Sequence, residues 1–309
     1  MRNQEPLLEP AASDQMIMTI LQSEQVQRMK AMILLAEEEQ EDEPIHNEST
    51  RDQIDTLANG QTILRYESFL HHQRYYDDLK HVDCNFIDYS TTNGTAAVVI
   101  EQDKSLGKGG LCWDAAFILA EHILCKEQEA LQGKRMVELG AGTGLCGLLI
   151  ATGMECHVDL TDLSTLLPIM TRNYRLNFHD DDNKRQTMRN PGHNISKARL
   201  PLGTASTTTL TWGSHDEYPS DPYDIILGAD VVASLYDPIC LAETMWDLSH
   251  AQSVVYISYK GRLTEPHERF EHRLKQLFHH VDRLKPYSQN KNPHVWVLKA
   301  SGRCTVKGE

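Results

Sequence analysis

The sequence predicts an α/β fold whose mostly parallel sheet ends in a reversed strand, behind a β-hairpin extension. Three observations carry that expectation. The stretch Met136-Val-Glu-Leu-Gly-Ala-Gly-Thr-Gly-Leu-Cys-Gly-Leu-Leu-Ile150 reads as an apolar strand, a glycine-dense turn and an apolar helix. Strand-like and amphipathic helical runs then alternate in the manner of βαβ units. Finally, Val281–Lys285 and His294–Lys299 lie too close together for a crossover helix, so they should pair antiparallel.

The N-terminal stretch stands apart. Residues 1–60 hold 13 acidic and 4 basic side chains, against a net charge of −14 for all 309 residues. A helix is expected over Asp14–Glu39, ended by the acidic run that closes at Pro44. It serves either as a partner-docking helix with an adaptable methionine face or as an extension that no core needs. We therefore divide the chain into an acidic extension, 1–60, and a main domain, 61–309, whose first part, 61–108, is the hairpin extension. Within that part Thr62–Tyr66, Cys84–Tyr89 and Ala96–Glu101 are strand candidates, and Asn93-Gly94 marks a hairpin turn between the last two.

Gly109–Ile123 reads as a loop entering an amphipathic helix. After the glycine turn, a strand over Cys156–Asp162 leads to a helix, and residues 179–206 form a long polar loop. Strands are expected at Thr207–Trp212, Tyr223–Gly228 and Val254–Tyr259, with helices around Ile239–Leu248 and Pro266–His279.

Composition narrows the functions. The acidic balance is poor footing for a nucleic-acid binder, whose phosphate affinity comes mainly from Lys and Arg; a protein or small-molecule partner is expected. The seven cysteines are scattered, with no ligand-like spacing, so free thiols in a reducing compartment are expected and no metal site. A polar start and the lack of an apolar run of ~20 residues predict a soluble protein of the cytosol, with the nucleus also open.

Gly140, Gly142 and Gly144 let the backbone turn tightly and approach a ligand closely, at the positive end of the helix that follows. Asp162 ends the next strand about twenty residues on, where an acidic side chain commonly accepts hydrogen bonds from ribose hydroxyls. Together these imply a nucleoside cofactor. Gly142-x-Gly144-x-x-Gly147 alone also suits a dehydrogenase, but the turn sits mid-chain, Glu138 precedes it to give Glu-x-Gly-x-Gly-x-Gly, and the sheet closes with a hairpin.

At these residues the chain resembles the class I, seven-β-strand, Rossmann-like S-adenosylmethionine-dependent methyltransferases. More narrowly, it is similar to the methyltransferase-16 family, which includes methyltransferase-like protein-lysine methyltransferases. The matching pieces are Trp113-Asp-Ala-Ala116, Val137-Glu-Leu-Gly-Ala-Gly-Thr-Gly-Leu145, Thr161-Asp162, Leu210-Thr-Trp-Gly213 and Leu227-Gly-Ala-Asp-Val-Val232. They lie in family order, and the resemblance spans roughly residues 62–300.

The resemblance implies a cofactor, S-adenosyl-L-methionine, and a role for each matched position. Gly140, Ala141 and Gly142 would line its methionine part, with Glu138 counted in the same set. Asp162 would hold the ribose, Trp212 would pack on the adenine, Trp113 would close over the cofactor, and Ala229 would touch it through its backbone. Asp230 opens the family's Asp-x-x-Tyr motif and would position the substrate; its alternative is a cap on the next helix. The motif is broken here, because Ala233 takes the tyrosine's place and the nearest tyrosine is Tyr236. The implied activity is methylation of a lysine side chain on a protein. A weakly catalytic cofactor-binding protein acting through its N-terminal helix, or a methyltransferase for another acceptor, remains the alternative.

Overall fold

The computed structural model describes residues 54–57, 59–66, 80–178, 201–233, 236–260, 265–287 and 295–307. The chain divides into two units, Met1–His46 and Asn47–Glu309, and every described residue lies in the second. The helix expected over 14–39, and residues 179–200 of the expected polar loop, lie outside the described residues. Among the described residues no helix is long and apolar enough to cross a membrane.

Among the described residues, eleven strands form two sheets. The first holds β1 (Ile54–Thr56), β2 (Thr62–Arg65), β3 (Phe86–Ser90) and β4 (Ala97–Glu101) in that order. The expected hairpin is β3–β4: Gly94, at φ 67°, donates its N–H to Thr91 O at 2.9 Å and turns the chain back. Strand β2 runs parallel to β3, so the extension is a four-stranded sheet and not a lone hairpin. Strand β1 lies within the stretch assigned to the acidic extension, and nothing in its short, half-exposed pattern signalled it.

The second sheet has the order β10-β11-β9-β8-β5-β6-β7. Its parallel strands are β5 (Arg135–Leu139), β6 (His157–Asp162), β7 (Thr204–Thr209), β8 (Tyr223–Ala229) and β9 (Ser249–Lys260). Strand β11 (Val295–Arg303) is reversed between β9 and β10 (Phe278–Leu284). This is the expected Rossmann-like sheet with its terminal antiparallel hairpin. Strand β7 begins three residues earlier than expected, and its paired residues end at Thr209, opposite Asp162. The threonine run supplies β-branched residues that suit an edge strand, which leaves Trp212 in the loop beyond it.

Alternate residues of β5 face opposite layers. Met136 packs toward helices α1 (Asp114–His122) and α2 (Leu145–Gly153) and the first sheet, while Val137 and Leu139 pack toward Leu241 and Met245 of α4 (Pro238–Asp247) and Phe270 and Leu274 of α5 (Glu265–Leu277). Helix α1 runs on through a π-helical turn, Ile123–Glu127, to Leu131. All nine residues of α2 are buried. A Cβ on Gly147 would stand 2.3 Å from Leu160 Cδ2, so only glycine lets α2 lie this close to the sheet.

Helix α3 (Leu167–Phe178) joins the two sheets through a pair of amides. Asn173 Oδ1 accepts the Glu101 N–H at 2.7 Å, while its Nδ2 donates to Glu101 O and Thr143 O, each at 3.0 Å. One turn later, Asn177 brackets Val99 in the same way, at 3.0 and 2.8 Å. The side chains imitate a neighbouring strand along the outer edge of β4, satisfying backbone groups that an open edge leaves unpaired. Replacing Asn173 by Ala should therefore lower stability by about 1–3 kcal/mol, the cost of stranding buried polar groups. Urea unfolding measures it; an unchanged midpoint would show that β4 is held without this bracket.

Candidate active site

The parallel strands place the ends of β5, β6, β7 and β8 on one edge of the sheet, the edge where open α/β sheets bind ligands. Gly140, Gly142 and Gly144 follow β5 with φ of 65°, 54° and 83°, the left-handed region that glycine enters freely. The parallel ladder continues into this turn, because Ala141 donates its N–H to Thr161 O at 2.9 Å. A Cβ on Gly142 would stand 2.8 Å from Gly109 O, and one on Gly140 would stand 2.7 Å from Val231 Cγ1 and 3.2 Å from Trp212 Cζ2. The turn is thus a narrow cradle between the 104–113 loop and the loops after β7 and β8.

Asp162 closes the cradle from β6. Its Oδ2 accepts the Gly142 N–H and its Oδ1 accepts the Leu163 N–H, both at 2.7 Å. Burial pushes its carboxyl above the ordinary carboxylate range, and the two N–H groups oppose that shift. Each oxygen keeps acceptor capacity for a ligand hydroxyl.

Glu138 occupies a different place from the rest of the expected cofactor set. It is 1 % exposed, and its Oε2 accepts the Gly147 N–H at 2.8 Å. Gly144 precedes α2 and has no side chain to cap it, so Glu138 supplies from the strand the acceptor that a capping residue would give. It therefore lies beneath the turn, joined to the first turn of α2. Gly140, Ala141 and Gly142 form the turn itself.

Trp113 stands just ahead of α1, its indole N–H donating to Lys108 O at 2.9 Å. The neighbouring Cys112 Sγ lies 3.7 Å from Thr143 Oγ1, which sets this loop against the glycine turn. The start of α1 is anchored twice: the Tyr66 hydroxyl donates to Asp114 at 2.5 Å and the Ser258 hydroxyl to Ala115 O at 2.7 Å. Trp212, half-buried, is followed by Gly213, whose N–H donates to the Tyr218 and Thr244 hydroxyls at 2.8 and 3.1 Å. Ala229 is the last residue of β8, and Asp230 follows with its N–H on Ser258 O at 2.8 Å. Asp230 has φ 55°, the one non-glycine residue with positive φ among those described. Such a conformation costs energy and tends to persist where a site needs it. Helix α4 is capped by Asp237, whose side chain accepts the Ile239 N–H at 2.9 Å, so Asp230 is not its cap.

Two site features escaped sequence reasoning. Gly109 O presses on the turn, and the only signal was the Gly109-Gly110 pair before a helix. Tyr236 meets Trp212 edge-on, ring centroids 5.5 Å apart, a contact between distant positions that no spacing reveals.

Taken together, the turn, the acidic strand end and the aromatic wall define a nucleoside-cofactor site on an α/β sheet. The lysine methyltransferase family model matches residues 93–277, more than half of the chain, and the chain belongs to that family. It is 35% identical over 181 residues, 58% of this chain and 73% of the relative, to protein N-lysine methyltransferase METTL21A of Danio rerio. It is 31% identical to the Xenopus tropicalis protein of that name, over 64% of this chain and 81% of the relative. Against EEF1A lysine methyltransferase 3 of Xenopus tropicalis the identity is 34%, over 51% and 60% of the two chains. The protein is an S-adenosyl-L-methionine-dependent methyltransferase. The residues fit that cofactor, since a carboxylate with acceptor capacity for hydroxyls, Asp162, is bonded to the N–H of Gly142 in a turn of left-handed glycines.

Burial lifts the Glu138 carboxyl from 4.5 to about 8, so the folded protein keeps this proton at neutral pH. An unfolded chain releases it near the ordinary value, so stability falls as pH rises across that window, by up to about 1.4 kcal/mol per unit. Glu138→Gln cannot titrate and should flatten the fall between pH 5 and pH 8, read by denaturant unfolding. Parallel slopes for both proteins would contradict it.

Proposed function

We propose that the protein methylates the ε-amino group of a lysine in a protein substrate, with Asp162 and the glycine turn binding the cofactor and Asp230 positioning the acceptor. The observation that carries this is the Gly142–Asp162 hydrogen bond, which sets a ribose-binding carboxylate against a backbone cradle in a chain of the lysine methyltransferase family. The names of the relatives supply the acceptor: they are described as protein N-lysine and EEF1A lysine methyltransferases.

Residues take the following parts. Asp162 accepts the ribose hydroxyls, and Gly140, Ala141 and Gly142 admit the methionine portion through their backbone. Trp212 offers a flat face to the adenine, Trp113 closes the opposite side, and Ala229 contributes backbone. When bound, S-adenosylmethionine supplies a methyl group on a sulfonium, open to in-line attack by an amine. The chain then has to hold that amine in line, since positioning alone supplies much of the rate. A lysine in water has pKa about 10.4 and must shed a proton first. Partial desolvation favours the neutral amine, whereas the Asp230 carboxylate favours the ammonium, so Asp230 holds and orients the acceptor instead of acting as a strong base. Free thiols at all seven cysteines support a reducing compartment, the cytosol with the nucleus also open. The acidic balance supports a protein acceptor over nucleic acid.

Calorimetric titration should show binding of S-adenosylhomocysteine and none of NAD; the opposite preference would overturn the cofactor assignment. Asp162→Ala should weaken S-adenosylhomocysteine roughly tenfold or more, the loss of charged hydrogen bonds. Asp230→Ala should leave that affinity unchanged and reduce transfer of labelled methyl groups to protein in a cell lysate. Full transfer by Asp230→Ala would remove Asp230 from the acceptor's side.

A further inference from the structure

The loop after β8 contains a tyrosine displaced from the place where the family motif has one. The chain leaves Ala229, turns through the left-handed Asp230, buries Val231 and Val232, and reaches Tyr236 one residue before the cap of α4. Tyr236 is fixed on both sides: its N–H donates to Ala233 O at 3.1 Å, and the adjoining Asp237 holds the first turn of α4. Its ring meets Trp212 at an interplanar angle of 69°, the edge-to-face arrangement that aromatic pairs favour. Trp212 also approaches the Gly140 turn, where its Cζ2 is 3.2 Å from the position a Cβ on Gly140 would take. Tyr236 nevertheless stays 42% exposed as a residue.

We propose that Tyr236 is a positioning residue of the cofactor pocket, holding Trp212 at the angle the adenine needs. This rests on the cofactor reading above. Burial holds the Tyr236 hydroxyl above its ordinary range, and the Asp162 and Asp230 carboxylates add to that shift. Only its ring is needed for the contact, so the hydroxyl is dispensable.

The test is the affinity of the full-length protein for S-adenosylhomocysteine and for adenosine, measured by calorimetry on wild type, Tyr236→Ala, Tyr236→Phe and Asp162→Asn. An edge-to-face pair accounts for roughly a three- to tenfold change. Tyr236→Ala should weaken both ligands by that factor, and Tyr236→Phe should bind both within about twofold of wild type. A general loosening of the fold would also lower the urea unfolding midpoint, so an unchanged midpoint beside the weakened binding is expected for Tyr236→Ala, and Tyr236→Leu repeats the test if the alanine variant is poorly folded. Wild-type affinity in Tyr236→Ala, beside a clear loss in Asp162→Asn, would overturn the assignment of Tyr236 alone. Wild-type affinity in both would overturn the cofactor reading with it.

Discussion

The Gly142 N–H bonded to the Asp162 carboxylate at 2.7 Å is the contact on which the site depends. Glycine turns carry spare N–H groups and no side chains with which to settle themselves. Here the carboxylate at the end of β6 fixes the turn after β5, so the turn and the proposed ribose acceptor are held as one object. Glu138 supports the same turn from below through Gly147. Two acids therefore frame one turn, with different surroundings: Glu138 is sealed in the core at 1 % exposure and keeps its proton at neutral pH, whereas Asp162 is buried at 9 % and accepts two backbone N–H groups. The backbone is pre-set before any ligand arrives, which lowers the ordering cost of binding.

The rest of the molecule keeps that object in place. Asn173 links the glycine turn, through Thr143 O, to the edge of the N-terminal sheet, and Tyr66 of that sheet anchors Asp114 at the start of α1. Tyr66 also packs on Phe117 and Tyr89 at centroid distances of 4.6 Å each. The extension thereby fixes the loop carrying Gly109 and Trp113, whose backbone bounds the cradle. It is part of the site's wall, at one remove.

Much of this was legible in the sequence, for identifiable reasons. The glycine turn could be read because left-handed backbone and close approach demand glycine, and the strands around it because burial on both faces demands apolar runs. The alternation that followed gave the sheet and its final reversed strand. What was missed lacks a local signature. Strand β1 is too short and too exposed to pattern. The start of β7 was hidden in a polar stretch, since threonines form an edge strand without looking apolar. Asn173 and Asn177 carry no apolar signal, yet both are buried against a strand far away in sequence. Glu138 looked like a ligand residue because it adjoins the glycines, but the strand's alternation turns it inward toward α2. Likewise the contact of Tyr236 with Trp212 joins two loops distant in sequence, which no composition announces.

The most direct measurement is a crystal structure of the full chain with S-adenosylhomocysteine. The account predicts the ribose hydroxyls on the Asp162 carboxylate, with the Gly142 N–H bond kept and the adenine against Trp212. A ribose bound elsewhere, or a ligand that displaces the glycine turn from Asp162, would contradict it.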